Sequence, residues 1–194
     1  MSSNFTHTVF MCGRFHFNGN DKDIQKILDD LPESEKNVQI KFGDIYPTYY
    51  LPIITQEKHP ILSKWGFGKF DGKGVLINAS AETVTDKQTF RKSFLERRCL
   101  IPANGFYEWD TQKNKYFFNR SDGKILYLGG FCRYEDGENK FIILTKQSTP
   151  PVEKHHHRIP VIVGDNIKDY YLNDTDFARH FILTDNQIKL KCDR

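Results

Sequence analysis

Apolar residues recur along this chain in two rhythms. Over residues 21–31, DKDIQKILDDL, the apolar side chains Ile24, Ile27, Leu28 and Leu31 fall three and four apart. That spacing predicts a helix capped by Asn20 or Asp21. A second helix is expected over residues 87–97, KQTFRKSFLER, burying Phe90, Phe94 and Leu95. Between them, IKFGDIYPTYYLPIIT and ILSKWGFGKF read as extended segments broken by Gly43, Pro47 and Pro52, with a loop at residues 72–74. From residue 99 the rhythm shortens to that of strands: CLIPANGFYEW, KYFFNRSDGKILYLGGFCRY, KFIILTKQ and RIPVIVG. Ser121-Asp122-Gly123 reads as a hairpin turn. A short helix is expected near TDFARHF. The class is therefore α+β: a single domain with a curved, mainly antiparallel, barrel-like sheet and a few helices.

Composition narrows this picture a little. At 194 residues the chain is long enough for one sizeable core, and an aromatic share of 14% favours sheet. A net charge of +3 permits contact with nucleic acid without requiring it. No apolar run reaches the length of a membrane span, and MSSNFTHTVF lacks the basic start and apolar middle of a secretory signal. A cytoplasmic protein that does not engage a membrane is expected. The four cysteines, Cys12, Cys99, Cys132 and Cys192, are widely spaced and make no CxxC pair, so free thiols are expected.

Four stretches place polar groups in apolar surroundings. In MCGRF, Cys12 reads either as a small buried hydrophobe or as a reactive thiol, with Gly13 leaving room for a ligand and Arg14 suited to a phosphate. In VLINASAETV, Asn78 either caps a turn between strand and helix or aims its amide at a ligand. In ANGFYEWD, strand alternation sets Phe106 and Glu108 on one face and Tyr107 and Trp109 on the other. Glu108 is then either an exposed edge-strand carboxylate or a desolvated one whose raised pKa suits acid–base chemistry. EKHHHRIPVIV holds three adjacent histidines, but neighbours on a strand diverge and no carboxylate or cysteine stands at ligand spacing. A metal site is not expected there. One histidine working with Arg158 and a solvated histidine loop both remain open.

Taken in order, MCGRF (11–15), YPT (46–48), WGF (65–67), INASAETV (77–84), FRKSFLERRCLIPANGFYEW (90–109) and HHRIP (156–160) resemble the SOS-response-associated peptidase (SRAP) family. The resemblance spans about three-quarters of the chain and leaves out its last 30 residues. It implies a single α+β domain with a positively charged cleft. It also implies a covalent sensor of abasic sites in single-stranded DNA, acting through an N-terminal cysteine. Carried over by position, that cysteine is Cys12, with Asn78, Glu108 and His156 as the other catalytic groups. Arg14, Trp65, Ser80 and Arg158 fall at positions that meet DNA. No cofactor is implied, and a monomer that joins the nucleoid during DNA damage is expected.

Three departures matter. Ser80 stands where the family carries an arginine, which should weaken phosphate binding and flatten its salt dependence. Ile159 replaces a methionine of the histidine motif, a mild change. Residues 1–10 precede Met11, so that Cys12 has an amide nitrogen rather than an amine. Either Met11 is the true start, or Cys12 cleaves its own leader, or the leader stays and the protein only binds DNA. Beside the covalent sensor stand a cysteine peptidase or self-processing hydrolase, a non-covalent single-strand binder and a histidine-cluster metalloprotein.

Overall fold

The computed structural model describes residues 12–185 and 188–193; the leader 1–10 and Met11 lie outside them. Strand β1 (Phe15–Phe17) is followed by helix α1 (Lys22–Asp29), then β2 (Gly43–Ile45), β3 (Tyr50–Thr55) and β4 (Pro60–Trp65). A small ribbon, β5 (Phe67–Gly68) and β6 (Val75–Leu76), leads to β7 (Asn78–Ser80) and helix α2 (Gln88–Glu96). Then come β8 (Arg98–Ala103), β9 (Gly105–Trp109), β10 (Lys115–Arg120), β11 (Leu126–Glu135), β12 (Glu138–Gln147) and β13 (Arg158–Pro160). Helices α3 (Lys168–Asn173) and α4 (Thr175–Phe181) and strand β14 (Leu190–Asp193) follow.

Two sheets form the α+β domain. One is open, in the order β14-β10-β9-β1-β2, and wholly antiparallel. In the other, β11, β8, β3, β4 and β12 close into a barrel, because β11 and β12 also pair with each other. Closure removes the free edges that an open sheet of this size would present. The ten-residue β12 outgrows the barrel: its first half pairs with β11 and β4, its second half with β13 and β7. Only the β4 and β7 pairings are parallel.

The helices form where the periodicity places them. Asp21 caps α1, accepting from the amides of Asp23 at 2.9 Å and Ile24 at 3.4 Å, and the helix buries Ile24 and Ile27. Helix α2 drives Phe90 and Phe94 against Phe131, with ring centroids 5.8 and 6.2 Å apart. Beside it, Arg98 is fully buried and pairs with backbone. Its guanidinium donates to four carbonyls: Phe94 at 3.0 Å and Leu95 at 2.8 Å in α2, Tyr171 at 2.7 Å and Leu172 at 2.9 Å in α3.

Two expectations are corrected. Ser121-Asp122-Gly123 does form a turn, with Gly123 at φ +77°, but no hairpin. Strand β10 pairs with β9 and β14, whereas β11 pairs with β8 and β12, so this turn hands the chain from one sheet to the other. Arg120 pins it through Asp122 at 2.6 Å and Asp165 at 2.8 Å. The hairpin lies at Asp136-Gly137, between β11 and β12, where φ values of +53° and +82° suit the tight two-residue turn that twisted strands favour.

The second correction concerns Trp65. It is wholly buried, with centroids 5.0 Å from Phe15 and 6.3 Å from Phe141, and its indole N–H donates to the Ile77 carbonyl at 3.0 Å. Phe15 belongs to the open sheet and Phe141 to the barrel, so Trp65 joins the two. A ring with no exposed face cannot stack on a base.

Candidate active site

Four of the singled-out side chains meet where the two sheets adjoin. Cys12 precedes β1, and the Tyr107 amide donates to the Arg14 carbonyl at 3.0 Å, holding this segment beside β9. Inward alternation on β9 then carries Glu108 to the Cys12 nitrogen: the Cys12 amide donates to Glu108 Oε1 at 3.0 Å. Asn78 opens β7 on one side of β12, and its Nδ2 donates to the Cys12 carbonyl at 3.3 Å. His156 precedes β13 on the other side of β12, with Nδ1 3.4 Å from Glu108 Oε2.

Glu108 is 1% exposed and lies on a central strand, which rules out the exposed-edge reading. Burial raises its pKa from 4.5 to about 8, against which the Cys12 amide acts only in part. The carboxyl therefore keeps its proton at neutral pH. Because the folded chain binds that proton between about pH 4.5 and 8 and the unfolded chain does not, stability falls as pH rises through this window. The stabilisation is whole below the window. A slope on the order of 1 kcal/mol per pH unit is expected from this group. In Glu108→Gln that slope should vanish from denaturant titrations run at successive pH values; an unchanged slope would refute the assignment.

Burial also lowers the pKa of His156, so its ring is neutral at pH 7. Its Nδ1 lies 3.0 Å from the Arg158 carbonyl and 3.2 Å from the Arg158 amide, which demand opposite tautomers. The shorter contact favours a hydrogen on Nδ1, leaving Nε2 as the acceptor. The Cys12 thiol, wholly buried and near Glu108, is pushed well above the ordinary range, foremost by desolvation. Cys12 also adopts φ +32°, a left-handed conformation that costs a non-glycine residue about 1–3 kcal/mol.

The groups expected to meet DNA divide. Arg14 borders the Cys12 cluster, its guanidinium sandwiched between Tyr46 at 4.5 Å and Trp109 at 4.9 Å and 3.7 Å from Asp44. Neither aromatic partner was singled out for this, although both lie in the quoted motifs YPT and FYEW. Ser80 donates to Glu82, and Arg158 grips the same carboxylate through both nitrogens, at 2.7 and 2.8 Å. Arg158 also donates to the Ser80 hydroxyl at 3.2 Å and the Thr145 carbonyl. This clamp holds Glu82 at about 2, well below its usual 4.5. Trp65 lies beneath the site in the core.

The three histidines lie in the turn ahead of β13 and not on a strand, and the rings of His156 and His157 stay 4.6 Å apart. His155 packs on Tyr116, with centroids 3.8 Å apart, while His156 turns to Glu108. Among the described residues, no three His, Cys, Asp or Glu side chains are grouped so as to hold a metal ion. Among them, too, no helix is long and apolar enough to cross a membrane.

The chain is similar to known proteins along most of its length. The abasic site processing protein YoqW of Bacillus subtilis is 31% identical over 202 aligned residues, covering 89% of this chain and 86% of that protein. The abasic site processing protein YedK of Escherichia coli is 26% identical, covering 79% and 76%. In a crystal structure of a protein from Bordetella bronchiseptica the same fold recurs, with a TM-score of 0.77 at 21% identity, over 93% of this chain and 98% of that one. The model of the SOS response associated peptidase (SRAP) family matches residues 11–190, and the chain belongs to that family.

Proposed function

We propose that this protein is a covalent sensor of abasic sites in single-stranded DNA, and that Cys12 reacts once it is the first residue. One observation carries the reading: the acid of the site addresses the nitrogen of Cys12, at 3.0 Å, while Asn78 holds its carbonyl. A thiol peptidase needs a base at sulfur; imine formation needs a free amine and, beside that nitrogen, an acid within reach of the hydroxyl that departs. The relatives named for processing abasic sites support the same substrate.

An opened abasic sugar presents an aldehyde. The Cys12 amine adds to it, the carbinolamine loses water as an imine, and the thiol closes onto the same carbon as a thiazolidine. One water leaves overall. Glu108, holding a proton near neutral pH, gives it to the departing hydroxyl. Neutral His156 must take up a proton at Nε2 before it can deliver one to the sugar oxygen, because Nδ1, 3.4 Å from Glu108 Oε2, already carries its hydrogen. Once the Cys12 nitrogen is an ammonium, its charge beside Glu108 favours the carboxylate, which takes the ammonium proton to free the attacking amine and so holds the proton it then gives to the hydroxyl.

Release of the leader fits the same site. The φ torsion of Cys12 is defined through the Met11 carbonyl carbon, so cleaving that peptide bond removes the left-handed constraint. Attack of the Cys12 thiol on that carbonyl, followed by hydrolysis, would give the self-processing form. The family match begins at Met11, the last residue such a cleavage removes.

The test is the intact mass of the protein before and after incubation with a single-stranded oligonucleotide bearing one abasic site. A chain starting at Cys12 should gain the oligonucleotide less one water. A chain with Cys12 exposed that gains nothing would sink the reading. The Arg158–Glu82 clamp makes a further prediction, because it neutralises a cation beside the position where Ser80 has replaced an arginine. Glu82→Gln should tighten single-strand binding several-fold and steepen its salt dependence by up to about one ion. Fluorescence anisotropy across a salt series reads both.

A further inference from the structure

The open sheet carries its inner face against the core and a row of aromatic rings on its outer face. Strand alternation that turns Glu108 and Phe118 inward turns Tyr107, Trp109, Lys115 and Phe117 outward. Trp109 lies 6.4 Å from Tyr107, Tyr107 lies 4.9 Å from Phe117, and Phe117 meets the edge of His16 at 6.0 Å, centroid to centroid. All four rings are half-exposed. Phe117 lies flat across Gly105, where a Cβ would come within 2.6 Å of its Cε2. The missing side chain at Gly105 is what lets the ring lie down on the sheet.

Cations accompany the rings. Arg14 lies against Trp109, and Lys115 Nζ sits 4.8 Å over Tyr107. Beyond Phe117 a hollow of about 210 Å³ is bordered by Asn18, Asn104, Lys124 and Lys191. The acidic groups of this face are engaged: Asp44 by Arg14 and His16, and Asp193 by Lys191 at 3.9 Å. Rings interleaved with lysines and arginine, without a wide apolar area, match the chemistry of single-strand binding, in which bases stack while cations follow the phosphates. At its Trp109 end the row reaches Arg14, which is two residues along the chain from Cys12.

We propose that the outer face of the open sheet is a stacking platform for the undamaged nucleotides on one side of the lesion, with Phe117 as its central ring and Lys115, Lys124 and Lys191 at the phosphates. This extends the abasic-site reading and rests on it for the position of the lesion. It makes the protein directional: one arm of the strand lies on the platform and the other does not.

Binding of undamaged oligonucleotides of roughly four to twelve residues tests the platform without any covalent step. Affinity should rise with length, and Phe117→Ala should weaken the longer ligands about tenfold, as loss of one stacking ring does elsewhere. Phe117→Tyr keeps the ring and should bind as wild type, which separates lost stacking from lost folding. Lys191→Ala should lower the salt dependence by about one ion. Equal binding by Phe117→Ala and wild type at every length would overturn the proposal. In a second arm, an abasic residue is placed close to either end of a longer strand. One polarity should crosslink faster in wild type, and Phe117→Ala should lose that preference; equal rates in wild type would overturn the directional claim. Length-dependent binding through Phe117 with no adduct from any substrate would instead keep the platform and remove the crosslinking reading.

Discussion

Cys12→Ala is expected to form an adduct with abasic single-stranded DNA only when borohydride is present. Produced with residue 12 as its first residue, so that no self-cleavage is needed, the variant has a terminal amine, and the imine still forms and can be reduced in place. Without sulfur the imine carbon is never closed into a ring, and hydrolysis returns it to aldehyde and amine. Survival of the adduct through denaturing electrophoresis should therefore fall on the order of a hundredfold or more, whereas the yield after reduction stays measurable. Cys12→Ser should behave similarly, because a five-membered ring closed through oxygen opens more readily than one closed through sulfur. A durable adduct from Cys12→Ala without reductant would show that the lasting bond does not need the thiol. The Glu108–N contact at 3.0 Å and the Asn78–carbonyl contact at 3.3 Å hold the backbone of residue 12 and not its side chain, so these variants keep the site's framework.

Trp65→Ala should unfold the protein rather than blunt its grip on DNA. Truncating a wholly buried indole costs about 3–5 kcal/mol through lost transfer energy and the cavity left behind. It also removes the indole's hydrogen bond to the Ile77 carbonyl, which keeps only the Ile143 amide at 3.1 Å. Against a typical domain stability of about 5–15 kcal/mol, a large part of the folded population is at stake. A melting temperature lower by about 10 °C or more is expected for a chain of this length. The molecules that remain folded should bind single strands as before. A large loss of affinity at an unchanged melting temperature would restore Trp65 to the binding surface.

How much of this was legible in the sequence depends on the range of the interaction concerned. Helices α1, α2 and α4 follow from local periodicity and, in α1, from the cap at Asp21. Helix α3, only six residues of KDYYLN, is too short to show a period. Of the three Asp-Gly steps in the chain, those at 122–123 and 136–137 each follow a strand-like run and look alike locally. Which of them makes a hairpin is decided by distant strands, because β9 and β14 claim β10. The cost of a carboxylate at Glu108 could be foreseen from its apolar neighbours, but its partner, a backbone nitrogen 96 positions away, could not. Trp65 was misplaced for a related reason. Its indole N–H can be satisfied inside the protein, and only the fold reveals the Ile77 carbonyl that does so. The Arg158–Glu82 clamp spans 76 positions and likewise has no local signal.

The four carbonyls gathered by Arg98 bear on the order in which parts of the molecule can open. One guanidinium terminates α2 and α3, whose bonded residues lie more than 70 positions from one another across the barrel strand that carries the arginine. Neither helix end can fray without stranding a buried cation, so local opening of either is tied to disruption of the barrel itself. Amide hydrogens of α3, short as the helix is, should then exchange with solvent at the slow rate of the barrel core and not at the rate of a surface helix near the end of a chain.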